Sequence, residues 1–346
     1  MKNAVHRGIR KTLIASFLSL GALLPSQADS IRRGYYNGWG YIVTPDNTIT
    51  IKTWLGGKGC REEIVVPGEI DGLPVTRISD WVRFDLKVDP YVPDWKAIYI
   101  GEDPTDEELD CRRLVIDGLG SMVIEGDAFH GIPGLREVVL RGVKTIENSG
   151  GNIAGAFRGC PNLETVVADG CLDSIGEQAF RDNPKLAHLT GATNLTHIGG
   201  NAFFDDSKLE SIPVSDKLDS IDFNAFMNCT AFDEIRFPDS LSSIGAHAFA
   251  GCTNLEEITF GSGLKKIPSD NFNSKPRLRK ITIPEGVEEI AGRAFEGCSA
   301  LPEVVFPDSL KDPGYWSFAD CPAITNIVIG KNGGHGVCPG FCFFSG

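Results

Sequence analysis

Ten cysteines, six histidines and 46 carboxylates are the side chains of this 346-residue chain best suited to chemistry. His188 and His197 could face one metal ion, but no cysteine or carboxylate stands at ligand spacing beside them. They are expected to be two solvated side chains. His335, Cys338 and Cys342 spell H-x2-C-x3-C, three ligands within reach of one zinc ion. A disulfide or a solvated tail uses the same residues, and that is the expectation. Residues 102–110, EDPTDEELD, gather six carboxylates without the D-x-D-x-D-G alternation of a calcium loop, so a solvated acidic loop is expected. No nucleophile elbow, phosphate loop, H-E-x-x-H or dinucleotide fingerprint occurs. A glycosidase pair needs two carboxylates converging in a cleft. The residues therefore point to no catalytic group, no metal and no cofactor.

Five cysteines follow a rule. Cys160, Cys229, Cys252, Cys298 and Cys321 each stand three residues after a phenylalanine, and those phenylalanines recur every 23 residues from Phe157 through Phe180, Phe203, Phe226, Phe249, Phe272, Phe295 and Phe318 to Phe341. Phe129 precedes Phe157 by 28, which places five extra residues near 147–152. Asn183, Asp206 and Lys275 hold the cysteine place in the intervening units. A fixed period of leucine-rich-repeat length marks a protein whose units bury their apolar sides only by stacking on one another. The cysteine place then lies inside the stack, where Cys, Asn and Asp can bond main chain. Free buried thiols are expected there, because disulfides between rungs need a Cβ geometry that stacking does not ensure. Lys275 fits only by turning outward or by a different bend in its coil. Pairings among Cys60, Cys111, Cys171, Cys338 and Cys342 cannot be read from sequence.

The elements that position these residues follow from the rest of the period. Nine residues after the phenylalanine stands Val166, Leu189, Ile212, Ile235, Ile258, Ile281, Val304 or Ile327; eleven after stands Phe237, Phe260, Ile283, Phe306 or Ile329. Period two marks a short strand with one buried face. A second apolar pair, such as Leu218 with Ile221, marks a second extended piece, and Ala-Phe leads a tight bend. The regular bend is expected to be lost at DPGYWSF, where Pro313 takes an Ile place. Positions eight and ten after each phenylalanine should face outward. They place Glu137, Thr165, His188, Glu234, Arg236, Glu257, Thr259 and Lys280 on one surface, with Val139 and Pro213 in the same rows. Solenoids bind partners on such surfaces, and a merely solvated sheet has the same composition.

The chain divides into four parts. Residues 1–28 carry a basic start (Lys2, Arg7, Arg10, Lys11), an apolar run from Thr12 to Leu24 and small residues Ser26 and Ala28, the layout of a secretory signal peptide. Its removal takes the formal charge from −13 to −17, which disfavours nucleic acid. No later segment reaches transmembrane length. Residues 29–80 form an N-terminal segment and first coil. Residues 81–111 break the period and bring Trp81, Tyr91 and Trp95, either as interface anchors or as cover for the first coil. Residues 112–346 form the solenoid with a degenerate last repeat.

The unit IGxxAFxGCxxLxxIxFPxxLxxI, together with the run IVVPGEIDGLPVTRI near residues 64–78, resembles the BspA-like leucine-rich repeat proteins of bacterial surfaces and secretions. The resemblance implies a right-handed solenoid, mostly β with short turns or 3-10 pieces, and a parallel sheet on one face. It also implies adhesion or binding of host and matrix proteins, without naming a ligand or a set of functional residues. The expectation is a secreted or cell-surface, non-enzymatic binding protein with a protein or glycan partner. The alternative is a structural, self-associating envelope protein.

Overall fold

The computed structural model describes residues 32–54, 61–79, 111–126, 128–148 and 155–329. Trp81, Tyr91, Trp95, Cys60, the acidic run 102–110 and His335, Cys338 and Cys342 lie outside these residues.

The chain opens on an antiparallel meander of β1 (Arg32–Tyr36), β2 (Trp39–Val43) and β3 (Ile49–Trp54). Trp39 anchors it: the side chain is fully buried, and its indole N–H donates to the Val65 carbonyl at 2.9 Å. β3 then pairs in parallel with β6 (Leu73–Ile78), to which the two-residue β5 (Glu69–Ile70) adds antiparallel, and β4 (Arg61–Val66) pairs in parallel with β7 (Cys111–Ile124). From β7 and β8 (Glu137–Ile146) onward the fold is a stack of coils, most of them offering two strands. β7 and β8 are long because each runs through both positions. The corner between them is made by Gly142 at φ 58°, where an added Cβ would lie 2.3 Å from the Gly118 carbonyl oxygen.

After β8 the two positions separate into two parallel ribbons. The first holds β9 (Thr165–Ala168) and β11 (His188–Thr190), then β14 (Glu234–Arg236), β16 (Glu257–Thr259) and β18 (Lys280–Thr282), then β20 (Glu303–Phe306) and β21 (Asn326–Ile329). The second holds β10 (Ser174–Ile175), β12 (His197–Ile198), β13 (Ser220–Ile221) and β15 (Ser243–Ile244), and continues as β17 (Lys266–Ile267) and β19 (Glu289–Ile290). Partners such as Ile235 and Ile258, or Ile175 and Ile198, are 23 residues apart, so the sequence period is one rung of the ladder.

Nine phenylalanines, from Phe129 to Phe318, form a single buried column. Successive rings are near-parallel, with centroids 5.1 to 5.9 Å apart. Each ring buried contributes roughly 1.5–3 kcal/mol, and aromatic pairing adds about 0.5–1.5 kcal/mol per contact. The Ala-Phe bend is the hydrogen-bonding unit between coils: Phe180 N donates to Ala202 O, and Phe203 N to Ala225 O, both at 2.8 Å.

Two left-handed positions bend each coil around this column. The first, two residues before the phenylalanine, holds Gln178, Asn201, Asn224, His247, Asp270, Arg293 and Trp316, with φ between 53° and 61°. The second, two residues after it, holds Asp182, Asp205, Asn228, Gly251, Ser274, Gly297 and Asp320. Asn, Asp and Gly tolerate this conformation; a bulky side chain there is an outlier.

Three expectations are corrected here. The bend at DPGYWSF is kept: Phe295 N donates to Ser317 O at 2.8 Å, and Gly297 N to Ala319 O at 2.8 Å. Pro313 is buried in the Ile place, where that place needs shape more than a donor. Val139 and Pro213 are buried instead of outward. Val139 lies within long β8, and Pro213 cannot donate to a ladder, so the first ribbon breaks at residues 211–214 and Val214 is exposed in its stead.

Candidate recognition surface

The cysteine place is a buried ladder. Cys229, Cys252, Cys298 and Cys321 are free thiols, and the Sγ of each of these and of Cys160 donates to the carbonyl of a phenylalanine one coil earlier, at 3.1 to 3.4 Å. Burial pushes the Cys252 thiol up to about 12, and the Cys229 thiol well above its ordinary value. Thiols held protonated in this way are poor nucleophiles. Lys275, in the same place, does not turn outward: it is 1% exposed, and its Nζ donates to Asn273 O at 3.1 Å. The coil bends differently instead. Asn271 stands where Ala stands elsewhere, and its Oδ1, in place of a main-chain carbonyl, accepts from Phe249 N at 3.1 Å. Burial lowers the Lys275 pKa, and the aliphatic stem continues the apolar column.

The outward face of the first ribbon is ordered by charge. Glu137 is half-buried, accepting from Arg113 Nε at 2.8 Å. Thr165 is its neighbour on β9, and His188 follows on β11, exposed, 3.6 Å from Glu210. On β14, β16 and β18 the register sets Glu234 beside Glu257 and Glu257 beside Lys280. Lys280 bridges to Glu257 at 3.1 Å, Arg236 pairs with Glu234, and Thr259 lies between Arg236 and Thr282. Arg279 and Arg277 hold Glu256 at 2.8 and 2.9 Å. The structure thus brings Glu234, Arg236, Glu257, Thr259 and Lys280 into one patch. It places Glu137, Thr165 and His188 in a second patch, across the break at Pro213.

His188 and His197 do not converge. They sit on different ribbons, and His197 has its own partners, Ser220 at 2.9 Å and Asp222 at 3.4 Å. Among the described residues no group of three His, Cys, Asp or Glu could hold a metal ion.

Reading the rows eight and ten after the phenylalanine missed a second surface, the left-handed corner. His247, Asp270, Arg293 and Trp316 are exposed there in four consecutive coils. Tyr315 beside Trp316 is 75% exposed, and the Arg293 guanidinium lies 4.8 Å from the Trp316 ring centroid. The available signal was Tyr-Trp standing where the three preceding coils carry Ala-His, Ser-Asp and Gly-Arg.

A model described as the BspA type leucine rich repeat region matches in six copies, over residues 120–233, 152–277 and 219–335. Among solved structures, the chain is similar to a leucine rich cell surface protein of Faecalibacterium prausnitzii A2-165, with 21% identity over 87% of this chain and 95% of that one and a TM-score of 0.34. It is similar to a T. pallidum leucine rich repeat protein at 21% identity, over 78% of this chain and 91% of that one, with a TM-score of 0.42. For the pneumococcal vaccine antigen PcpA the identity is 18%, over 87% of this chain and 82% of that one, with a TM-score of 0.39. No curated protein matches. With its period, its phenylalanine column and six matching repeat copies, the chain belongs to the BspA type leucine-rich repeat family.

Proposed function

We propose that this is an exported, non-enzymatic recognition protein, secreted or held at the cell surface, that binds a protein or glycan partner over the outer face of its first ribbon. The observation that carries the reading is how the reactive groups are used. The ladder thiols are tied to main-chain carbonyls inside the stack, while β14, β16 and β18 present an open face of charges and threonines. The leader-like residues 1–28 support export, and a formal charge of −13 speaks against nucleic acid as the partner. Surface plasmon resonance of the purified chain against immobilised extracellular-matrix proteins and a glycan array tests it. Binding that weakens in an Arg236→Glu, Lys280→Glu variant of unchanged fold is expected. No binding together with measurable turnover of any substrate would overturn it.

A second reading, self-association as a structural envelope protein, draws on β21. Ile327 and Ile329 occupy core places of the period yet are 39% and 49% exposed. Light scattering separates the two readings: assembly that grows with concentration favours self-association, and a monomer at high concentration excludes it.

A further inference from the structure

We infer that the left-handed corner around Trp316 is a binding subsite for a neutral, linear glycan, laid along the solenoid with about one sugar per coil. This rests on the recognition reading above and moves the contact from the ribbon face to the corner.

The first observation is conformational. Seven coils place a residue at this corner with φ between 53° and 61°. A bulky side chain is disfavoured in that region, yet Trp316 takes it at φ 55° and remains exposed. The indole is held in a costly conformation outside the core, 45% exposed; such outliers cluster at ligand-binding places.

The second is chemical. Tyr315 and Trp316 are 75% and 45% exposed, and exposed aromatic rings are the side chains on which the C–H face of a pyranose packs. The Arg293 guanidinium lies over the Trp316 ring at 4.8 Å and also meets Glu296 at 3.5 Å. Asp270 and His247 continue the line in the next two coils, both exposed. Planar polar groups beside a ring are the donors and acceptors that sugar hydroxyls need.

The third is metric. The parallel ladders, and the corner bond from Arg293 N to Tyr315 O, set successive coils at the ordinary strand spacing of about 4.8 Å, close to the length of one pyranose in an extended chain. Groups repeating once per coil therefore meet equivalent hydroxyls of successive sugars. The formal charge of −13 disfavours a polyanionic glycan, which leaves a neutral one.

Affinity electrophoresis of the full chain tests this, in gels containing a soluble β-1,4-linked glucan, a β-1,4-mannan or, as a branched and coiled control, glycogen. At least one linear glycan is expected to retard the chain and glycogen is not. Trp316→Asn installs the residue that Asn201 and Asn224 provide at the same corner. It should keep or raise the melting temperature while weakening retardation at least tenfold, and Arg293→Ala should weaken it in the same direction. Retention of full binding by Trp316→Asn, or retardation by none of the linear glycans, would overturn the inference. A protein ligand sensitive to Lys280→Glu and indifferent to Trp316→Asn would also overturn it, leaving the ribbon-face reading intact.

Discussion

Asn183 and Asp206 hold the same place in consecutive coils and are joined across the rung, the Asn183 main-chain N–H donating to Asp206 Oδ1 at 2.7 Å. Asn183 is satisfied: its Oδ1 accepts from Cys160 N at 2.7 Å, and its Nδ2 donates to the carbonyls of Phe157 and Phe180. Asp206 is fully buried, and its Oδ2 has no partner. Burial pushes its pKa well above the ordinary carboxylate value.

That difference sets a pH dependence. The folded chain holds a proton that the unfolded chain has released, so the stabilisation is complete below the unfolded pKa of about 4. It is lost as pH rises toward the raised folded value. Asp206→Asn supplies the missing donor, and should raise stability at pH 7 by about 1–2 kcal/mol. Urea unfolding at pH 5 and pH 8 is the check. The native chain should lose more stability than the variant between them, and identical losses would refute a raised Asp206 pKa.

Lys275 works in the opposite sense. Its folded pKa lies below the unfolded one because of burial, so the unfolded chain binds more protons between the two values. Stability should therefore climb as pH approaches the unfolded lysine value of about 10.4. Lys275→Met keeps the stem and removes the amine. It should be more stable than the native chain at pH 7, with a gap that narrows by pH 10. Paired denaturation curves at the two pH values decide it, and a gap that widens would count against a lowered Lys275 pKa.

The phenylalanine column should behave as one cooperative support. Phe226 stacks on Phe203 at 5.1 Å and on Phe249 at 5.3 Å, so Phe226→Ala should cost about 3–5 kcal/mol. Coils touch only their neighbours, so the damage should be local before it is global. Hydrogen exchange by mass spectrometry should show protection falling first at the coils of Phe203 and Phe249. Uniform loss from β1 to β21 would contradict a stack of nearest neighbours.

The ladder thiols should be silent to reagents while the chain is folded. Cys229, Cys252 and Cys298 are fully buried and hydrogen-bonded; Cys171 is only partly buried. Native iodoacetamide labelling followed by peptide mapping should modify Cys171 well before any of those three. Rapid alkylation of Cys252 without unfolding would show that the interior opens.

Much of this was legible in the residues. The recurrence of Phe, the Cys place, the apolar pairs and the two extended pieces per coil all follow from stacking, because each coil must repeat what its neighbour needs. The outward rows were legible where alternation held, as for Glu234, Arg236, Glu257 and Lys280. They failed at Val139 and Pro213, since period two assumes a regular strand, and neither the long bent β8 nor a proline without its N–H supplies one. The aromatic corner was less legible, because a left-handed residue has no hydrophobic signature; the period puts Trp316 in one column with Arg293 and Asp270, but only φ shows that column to be a left-handed corner.

The sequence alone determined the period, and with it which side chains share a column, because stacking turns a separation of 23 residues into one rung of height. Tertiary structure alone decided what happens within a column. Lys275 goes inward because its stem packs and its amine finds Asn273 O. Pro313 preserves a bend that it was expected to break, and Asp206 keeps an unpaired oxygen. Those outcomes depend on distances of a few ångströms between groups far apart along the chain, which no spacing rule encodes.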